Sequence, residues 1–231
     1  MLCRELSIWA RLRHENVLLF YGVAFGFGPL PAIVGPWAEN GTLGDYLGRD
    51  PGLPTRVRLL CEIASGLHYL HSQMVIHGDL TGTNVLIDGS GKACLSDFGL
   101  ATIHHEFLGT SFFMSSSLGN IRWAAPELFQ VLEGEGNQSV LCSEETDVYS
   151  YGSIILQVLS GKVPFSGSIT RHVYGKVALG HRPPRETGWD GQPIPDVYWH
   201  FIERCWDKTP SKRPSSSEVL EFMRNQLTGP K

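Results

Sequence analysis

Apolar residues along the chain recur at two periods. Leu2, Leu6, Trp9 and Leu12 stand three or four apart and predict an opening helix. Phe20–Ala24 and Pro31–Val34 are short β-like runs separated by a Gly/Pro turn. Val57, Leu60, Ala64, Leu67 and His71 mark one face of a long amphipathic helix ending near Ser72-Gln73, and that face reads as core. The apolar run Val85-Leu86-Ile87, the polar turn Asp88-Gly89-Ser90-Gly91 and a second short run predict a hairpin. Residues 147–160 are largely apolar and predict a buried helix too short to cross a membrane. Residues 196–206 and 215–227 supply the last helices, after a proline-flanked loop around Trp189. The order is helix, two strands, then helices with one small hairpin, an α+β arrangement.

Composition narrows the class. A chain of 231 residues forms one large domain or one and a half small ones. With 42% hydrophobic and 18% charged residues it fits a soluble globular protein. A net charge of −4, without a long basic run, argues against nucleic-acid binding. The five cysteines are scattered, odd in number and form no C-x-x-C pair, so reduced, intracellular thiols are expected instead of a disulfide framework or a zinc site. No apolar segment is long enough for a membrane span, and Arg4 and Glu5 interrupt any signal-peptide core. The patch Glu133–Ser139 reads as a surface loop, not a linker between domains.

The candidate chemistry lies at the open end of the predicted hairpin. His77-Gly78-Asp79-Leu80-Thr81-Gly82-Thr83-Asn84 reads H-x-D-x-x-x-x-N, and Asp97-Phe98-Gly99 follows the second strand. Phosphoryl transfer uses such a set: a carboxylate for the hydroxyl proton, and oxygen ligands for Mg²⁺. Either motif alone is weak, since a solvated turn residue is the commoner fate of a single loop Asp or Asn. Together they resemble the catalytic and metal loops of protein kinases. Arg4-Glu5-Leu6, Leu12–Leu18, Ala125-Pro126-Glu127, Asp147–Gly152, Cys205-Trp206 and Lys212-Arg213-Pro214 match further kinase patterns, in family order. Trp123 and Cys205-Trp206 point to the tyrosine-kinase-like branch.

That resemblance implies one kinase domain over residues 1–231: a partial N-lobe and hinge start over 1–37 (regulatory helix and two strands), and a mostly helical C-lobe over 38–231. It implies ATP and Mg²⁺ as cofactors, a protein substrate, a regulatory protein partner, no nucleic acid or membrane, and a cytoplasmic setting. Asp79 resembles the base that orients the substrate hydroxyl, and Asn84 and Asp97 resemble the metal ligands. Pro36, Ala38 and Leu86 resemble the adenine site. Pro36 lacks an N–H but keeps its C=O, Ala38 keeps its N–H, and Leu86 forms the apolar floor. Gly35 would stand at the gatekeeper and leave the back of the pocket open. His77 packs in the family pattern under Phe98, with Trp9 and Phe20. Asp147 would accept backbone N–H bonds from the loop, with a plain helix N-cap as the alternative. Glu127 and Arg213 would form a buried ion pair, or else a surface one. Thr110, Ser111 and Ser115–Ser117 lie in a segment that often carries phosphorylation sites.

Departures from the pattern matter as much. Gly78 replaces the arginine of H-R-D, Thr81 replaces the usual phosphate-contacting lysine, and Asn120 stands where Thr or Ser is usual. Residues 1–231 contain neither a G-x-G-x-x-G loop nor a V-A-I-K strand, so the lysine that should pair with Glu5 has no counterpart. Loss of one preorganised electrostatic contact typically costs about 10²–10³ in rate. The expectation is a truncated kinase record, with little or no activity for these residues by themselves. A scaffold-type pseudokinase and a small-molecule phosphotransferase are the competing readings.

Overall fold

The long apolar stripe at 57–71 forms a helix that organises the rest. The computed structural model describes residues 9–26, 32–98, 120–129 and 142–228. Leu2 and Leu6 of the opening stripe, Glu5, Gly99, the Thr110–Ser117 hydroxyls and the Glu133–Ser139 patch lie outside the described residues.

Strands β1 (Gly22–Ala24) and β2 (Ala32–Val34) pair antiparallel with Gly22 opposite Val34. The Tyr21 N–H extends the ladder to the Val34 carbonyl at 2.9 Å. The pair is shorter than the apolar runs suggested, and Tyr21, Phe25, Ile33 and Val34 are exposed. β3 (Val85–Ile87) and β4 (Ala93–Leu95) form the expected hairpin, with Val85 opposite Leu95. Asp88 ties its turn by accepting from the Ser90 and Lys92 N–H groups, both at 2.9 Å.

Among the described residues six helices are delimited, in chain order. α1 spans Leu43–Leu47, α2 Leu53–Ser72, α3 Glu144–Ser160, α4 Thr170–Ala178, α5 Asp196–Cys205 and α6 Ser216–Thr228. α1 and α4 have no counterpart in the periodicity above. Five residues hold too few turns to show a period, and α1 instead rests on the Thr42/Asp45 capping box. Short 3-10 turns lie at Pro126–Phe129 and Pro210–Lys212.

α3 begins three residues earlier than its apolar run because its start is polar. Ser143 is the N-cap and exchanges hydrogen bonds with Thr146. Glu144, Glu145 and Asp147 in the first turn suit the positive end of the helix dipole. This overturns the N-cap alternative for Asp147. Gly161 at φ +73 closes the helix in the left-handed conformation.

α3 is buried on all sides from Thr146 to Ser160. It lies between α2 and α5, and α2 packs most extensively against α6. Gly152 permits the α3–α5 approach, since a Cβ there would sit 2.7 Å from the Cys205 Cβ. Buried polar groups are matched across the core: the Tyr151 hydroxyl donates to the Leu60 carbonyl at 2.8 Å and the Trp206 indole to Ser153 Oγ at 3.2 Å. Among the described residues no helix is long and apolar enough to cross a membrane. This frame fixes the segment between α2 and β3 over the N-terminal end of α3.

Candidate active site

The segment His77–Asn84 leaves α2 and enters β3, and α3 anchors it from below. Asp147 accepts the His77 N–H through Oδ2 and the Gly78 N–H through Oδ1, both at 2.8 Å. His71 Nε2 meets the same Oδ2 at 2.9 Å. A carboxylate that is 1% exposed is thus held by two loop amides and an imidazole. Gly78 stands at φ +76, where an arginine would be strained.

The hairpin unites the two acidic motifs as its spacing predicted. The Asn84 carbonyl accepts from the Ser96 N–H at 2.9 Å and from Ser96 Oγ at 3.1 Å, which draws Asn84 beside the residue preceding Asp97. Asp97 is held at φ +54, a left-handed conformation that costs an L residue on the order of 1 kcal/mol or more. Asp97 keeps a solvent-exposed surface, and such strain at a loop acid is a frequent mark of a functional position. Burial raises the Asp97 carboxyl above its ordinary range.

Asp79 is the best-held acid of the set. Asn84 Nδ2 donates to its backbone carbonyl at 2.8 Å and to its Oδ2 at 3.0 Å. Asn120 Nδ2 bridges both carboxylate oxygens, at 2.9 Å and 2.8 Å. Burial pushes the Asp79 carboxyl up to about 6, against the lowering effect of the Asn120 and Asn84 hydrogen bonds. The charges of Asp97 and Asp147 add to the rise. Asn84 spends its amide N–H group on Asp79, and among the described residues its Oδ1 accepts no hydrogen bond. Amide and carboxylate oxygens, as on Asn84 and Asp97, are ligand types that could hold Mg²⁺.

His77 behaves as packing, as expected. Its ring is edge-on to Phe98 at 6.4 Å between centroids; Phe98 meets Trp9 at 5.8 Å and Trp9 meets Phe20 at 6.1 Å. Burial lowers its imidazole to about 4, so it is neutral. This aromatic column runs from the loop toward β1.

The residues expected at the adenine edge lie in or lead into the same hairpin. The Ile87 N–H donates to the Gly41 carbonyl at 2.8 Å and the Asn40 N–H to the Ile87 carbonyl at 3.1 Å, and Thr42 bridges to Leu86. That seats the Pro36–Thr42 connection beside β3. Among the described residues, no hydrogen bond engages the Pro36 carbonyl or the Ala38 N–H. Leu86 is half-buried. A cavity lined by Trp9, Leu18, Phe20, Gly35, Asp97 and Phe98 opens behind Gly35. The direction a Gly35 Cβ would take is already filled, by the Leu19 carbonyl at 3.0 Å and Leu18 Cδ2 at 3.3 Å.

Glu127 and Arg213 form a two-pronged pair at 2.6 Å and 3.0 Å, with the Arg213 side chain fully buried. Arg213 also donates to the Glu145 and Asp207 carbonyls and stacks over Tyr149. The surface alternative for this pair is overturned. Two participants carried no role in the sequence. His71 is one face residue of a long helix, and only α3 reveals its carboxylate partner. Asn120 was a departure without a function until its amide met Asp79.

Comparison with known proteins bears on the family of the chain. The family model for protein tyrosine and serine/threonine kinases matches residues 1–223. The chain is 33% identical over 232 residues to the probable serine/threonine-protein kinase drkD of Dictyostelium discoideum, covering 97% of this chain and 16% of that protein. It is 30% identical over 230 residues to the serine/threonine-protein kinase STY17 of Arabidopsis thaliana, covering 97% of this chain and 37% of the relative. It is 32% identical over 226 residues to the human tyrosine-protein kinase Srms, covering 95% of this chain and 43% of the relative. The chain thus spans less than half the length of these relatives.

Proposed function

The chain belongs to the protein tyrosine and serine/threonine kinase family, and from that premise we propose that its site serves ATP-dependent phosphoryl transfer to a protein Ser/Thr or Tyr hydroxyl. The observation that carries the reading is the bridged Asp79. Two amide groups aim its carboxylate, and its proton affinity is raised toward neutrality, as suits a group that accepts a hydroxyl proton. ATP would supply the transferred phosphoryl group. Asn84 Oδ1 and the Asp97 carboxylate would hold its divalent cation. The Pro36 carbonyl and Ala38 N–H would meet the adenine edge, with Leu86 against its face. Glu127–Arg213 and Asp147 act as positioning groups, bracing the segments that carry Asp79 and Asn120.

Within residues 1–231 nothing matches the Gly-rich loop or the strand lysine. We therefore propose that these residues alone bind Mg-ATP weakly and transfer phosphate slowly, by a factor of about 10² or more below a complete site. A binding-module reading is favoured by one observation, the exposed apolar side chains in and beside β1 and β2: Tyr21, Phe25, Ile33 and Val34. Thermal-shift titration with Mg-ATP separates the two. A saturable shift that disappears in Asp97→Ala supports nucleotide binding. No shift at millimolar Mg-ATP, with the protein folded, leaves the binding module. Robust Asp79-dependent phosphorylation would overturn the expectation of slow transfer.

A further inference from the structure

A cavity opens between the loop His77–Asn84, the Pro126–Phe129 turn and the start of α3. Gly78, Asp79, Thr81, Trp123, Leu128 and Asp147 are among its walls. Two of these are acids, and among the described residues no Lys, Arg or His lines the space. Neither acid meets a Lys or Arg elsewhere among the described residues. Asp79 is held by the Asn84 and Asn120 amides, and Asp147 by two backbone N–H groups and the His71 imidazole. Glu127, on the neighbouring turn, is instead met by the Arg213 fork. Amides satisfy the hydrogen bonds of a carboxylate but carry no net charge to offset its own.

The walls also account for the missing charge. Gly78 and Thr81 stand where the kinase pattern has an arginine and a lysine, and both face this one cavity. Gly78 is at φ +76, so a long side chain there would be strained. Thr81 is 1% exposed, and its hydroxyl is turned to Thr83 Oγ1 at 2.8 Å. The chain thus places a cation at neither position, and the space beside Asp79 is left open. Its lining is mixed, with carboxylate and hydroxyl residues from the loop and the apolar Trp123 and Leu128. An arginine side chain has the matching make-up: an apolar stem that ends in a flat cation with several N–H donors.

We infer that this cavity is a subsite for an arginine side chain of the protein substrate. The inference rests on the phosphoryl-transfer reading for the identity of its occupant. It names a substrate class, a segment whose accepting hydroxyl has an arginine close by in the chain. The guanidinium would sit beside Asp79 and bring in from outside the positive charge that Gly78 and Thr81 do not supply.

The site is tested by NMR titration of the ¹⁵N-labelled chain with n-propylguanidinium, against neutral n-propylurea, at one ionic strength. Saturable shifts at Gly78, Thr81, Asn120 and the Trp123 indole N–H are expected with propylguanidinium alone. Thr81→Lys brings an ammonium of the chain's own to the cavity and should weaken that binding by about tenfold or more. Circular dichroism shows whether this variant folds; the two ligands on the wild type decide the matter if it does not. The occupant is tested with short serine peptides that carry one arginine at each flanking position in turn. Each is compared with its citrulline form, which keeps the shape and loses the charge. At least one arginine peptide should bind about tenfold more tightly than its citrulline form and displace propylguanidinium. Four results overturn the inference: no shifts, or equal shifts with propylurea; shifts centred on Asn84 and Asp97 that Mg²⁺ removes; undiminished binding in folded Thr81→Lys; and no arginine peptide that outbinds its citrulline form. None of these titrations uses nucleotide, so a failed Mg-ATP titration counts against phosphoryl transfer and not against the cation subsite.

Discussion

Asp79 and His77, two residues apart, are driven in opposite directions by the same burial. The neutral form is favoured in both, so the carboxyl rises to about 6 and the imidazole falls to about 4. For Asp79 the folded value exceeds the unfolded one near 3.8, so its stabilising contribution is complete below that pH and is lost as pH rises through about 6. Asp79→Asn should therefore gain stability over the wild type on the order of 1–2 kcal/mol at pH 8, with the gain vanishing toward pH 4. Urea denaturation at the two pH values checks this; a constant difference would contradict it. His77 has the other sign. Its folded value lies below the unfolded 6.5, so stability is lost as pH falls from there toward about 4, on the order of 3 kcal/mol in all. Asn120→Ala removes a bridging donor and should raise the Asp79 value above about 6, measured by ¹³C titration of the carboxyl. The identity of Asp79 was legible because its motif is local. The role of Asn120 was not, since it lies 41 positions away and meets Asp79 only in the fold.

At the scale of elements, the site depends on what holds its loop and braces its flank. Arg213 joins the end of the chain to the Pro126–Phe129 turn and to the start of α3. Arg213→Ala would strand Glu127 beside buried surface and should cost about 3–5 kcal/mol. Arg213→Lys should recover little, since one ammonium lacks the fork that spans both carboxylate oxygens. Thermal or chemical denaturation reads both variants, and full recovery by Lys would count against the forked geometry. Gly152→Ala should cost about 1–3 kcal/mol by overpacking, because its Cβ would press on Cys205 and the Trp206 ring where α3 meets α5. Helices with long stripes, α2 and α6, were readable from periodicity. α3 was readable as a buried run, but its start was misplaced because capping residues are polar and carry no period.

The whole molecule divides into a deep helical core and a thin edge. α3 is buried from Thr146 to Ser160, whereas β1 and β2 form a two-stranded pair followed by Phe25 at 75% exposure. Such a pair is marginal by itself, and little apolar burial protects it from opening. Amide exchange should therefore be near-unprotected in β1 and β2 and slowest across α3 and the middle of α2, as read by hydrogen–deuterium exchange. Equal protection in the two regions would refute that division. By itself the sequence determined the family and the order of the elements other than α1 and α4, and it singled out Asp79, Asn84 and Asp97 as candidates. All of these follow from short-range patterns: a motif, a period, or a hairpin whose turn is four residues long. Only the tertiary structure decided how Asp79 is held and which carboxylate supports the loop from below. Burial, hydrogen bonding and charge compensation are properties of neighbours in space, and the neighbours that matter here are separated by tens of residues along the chain.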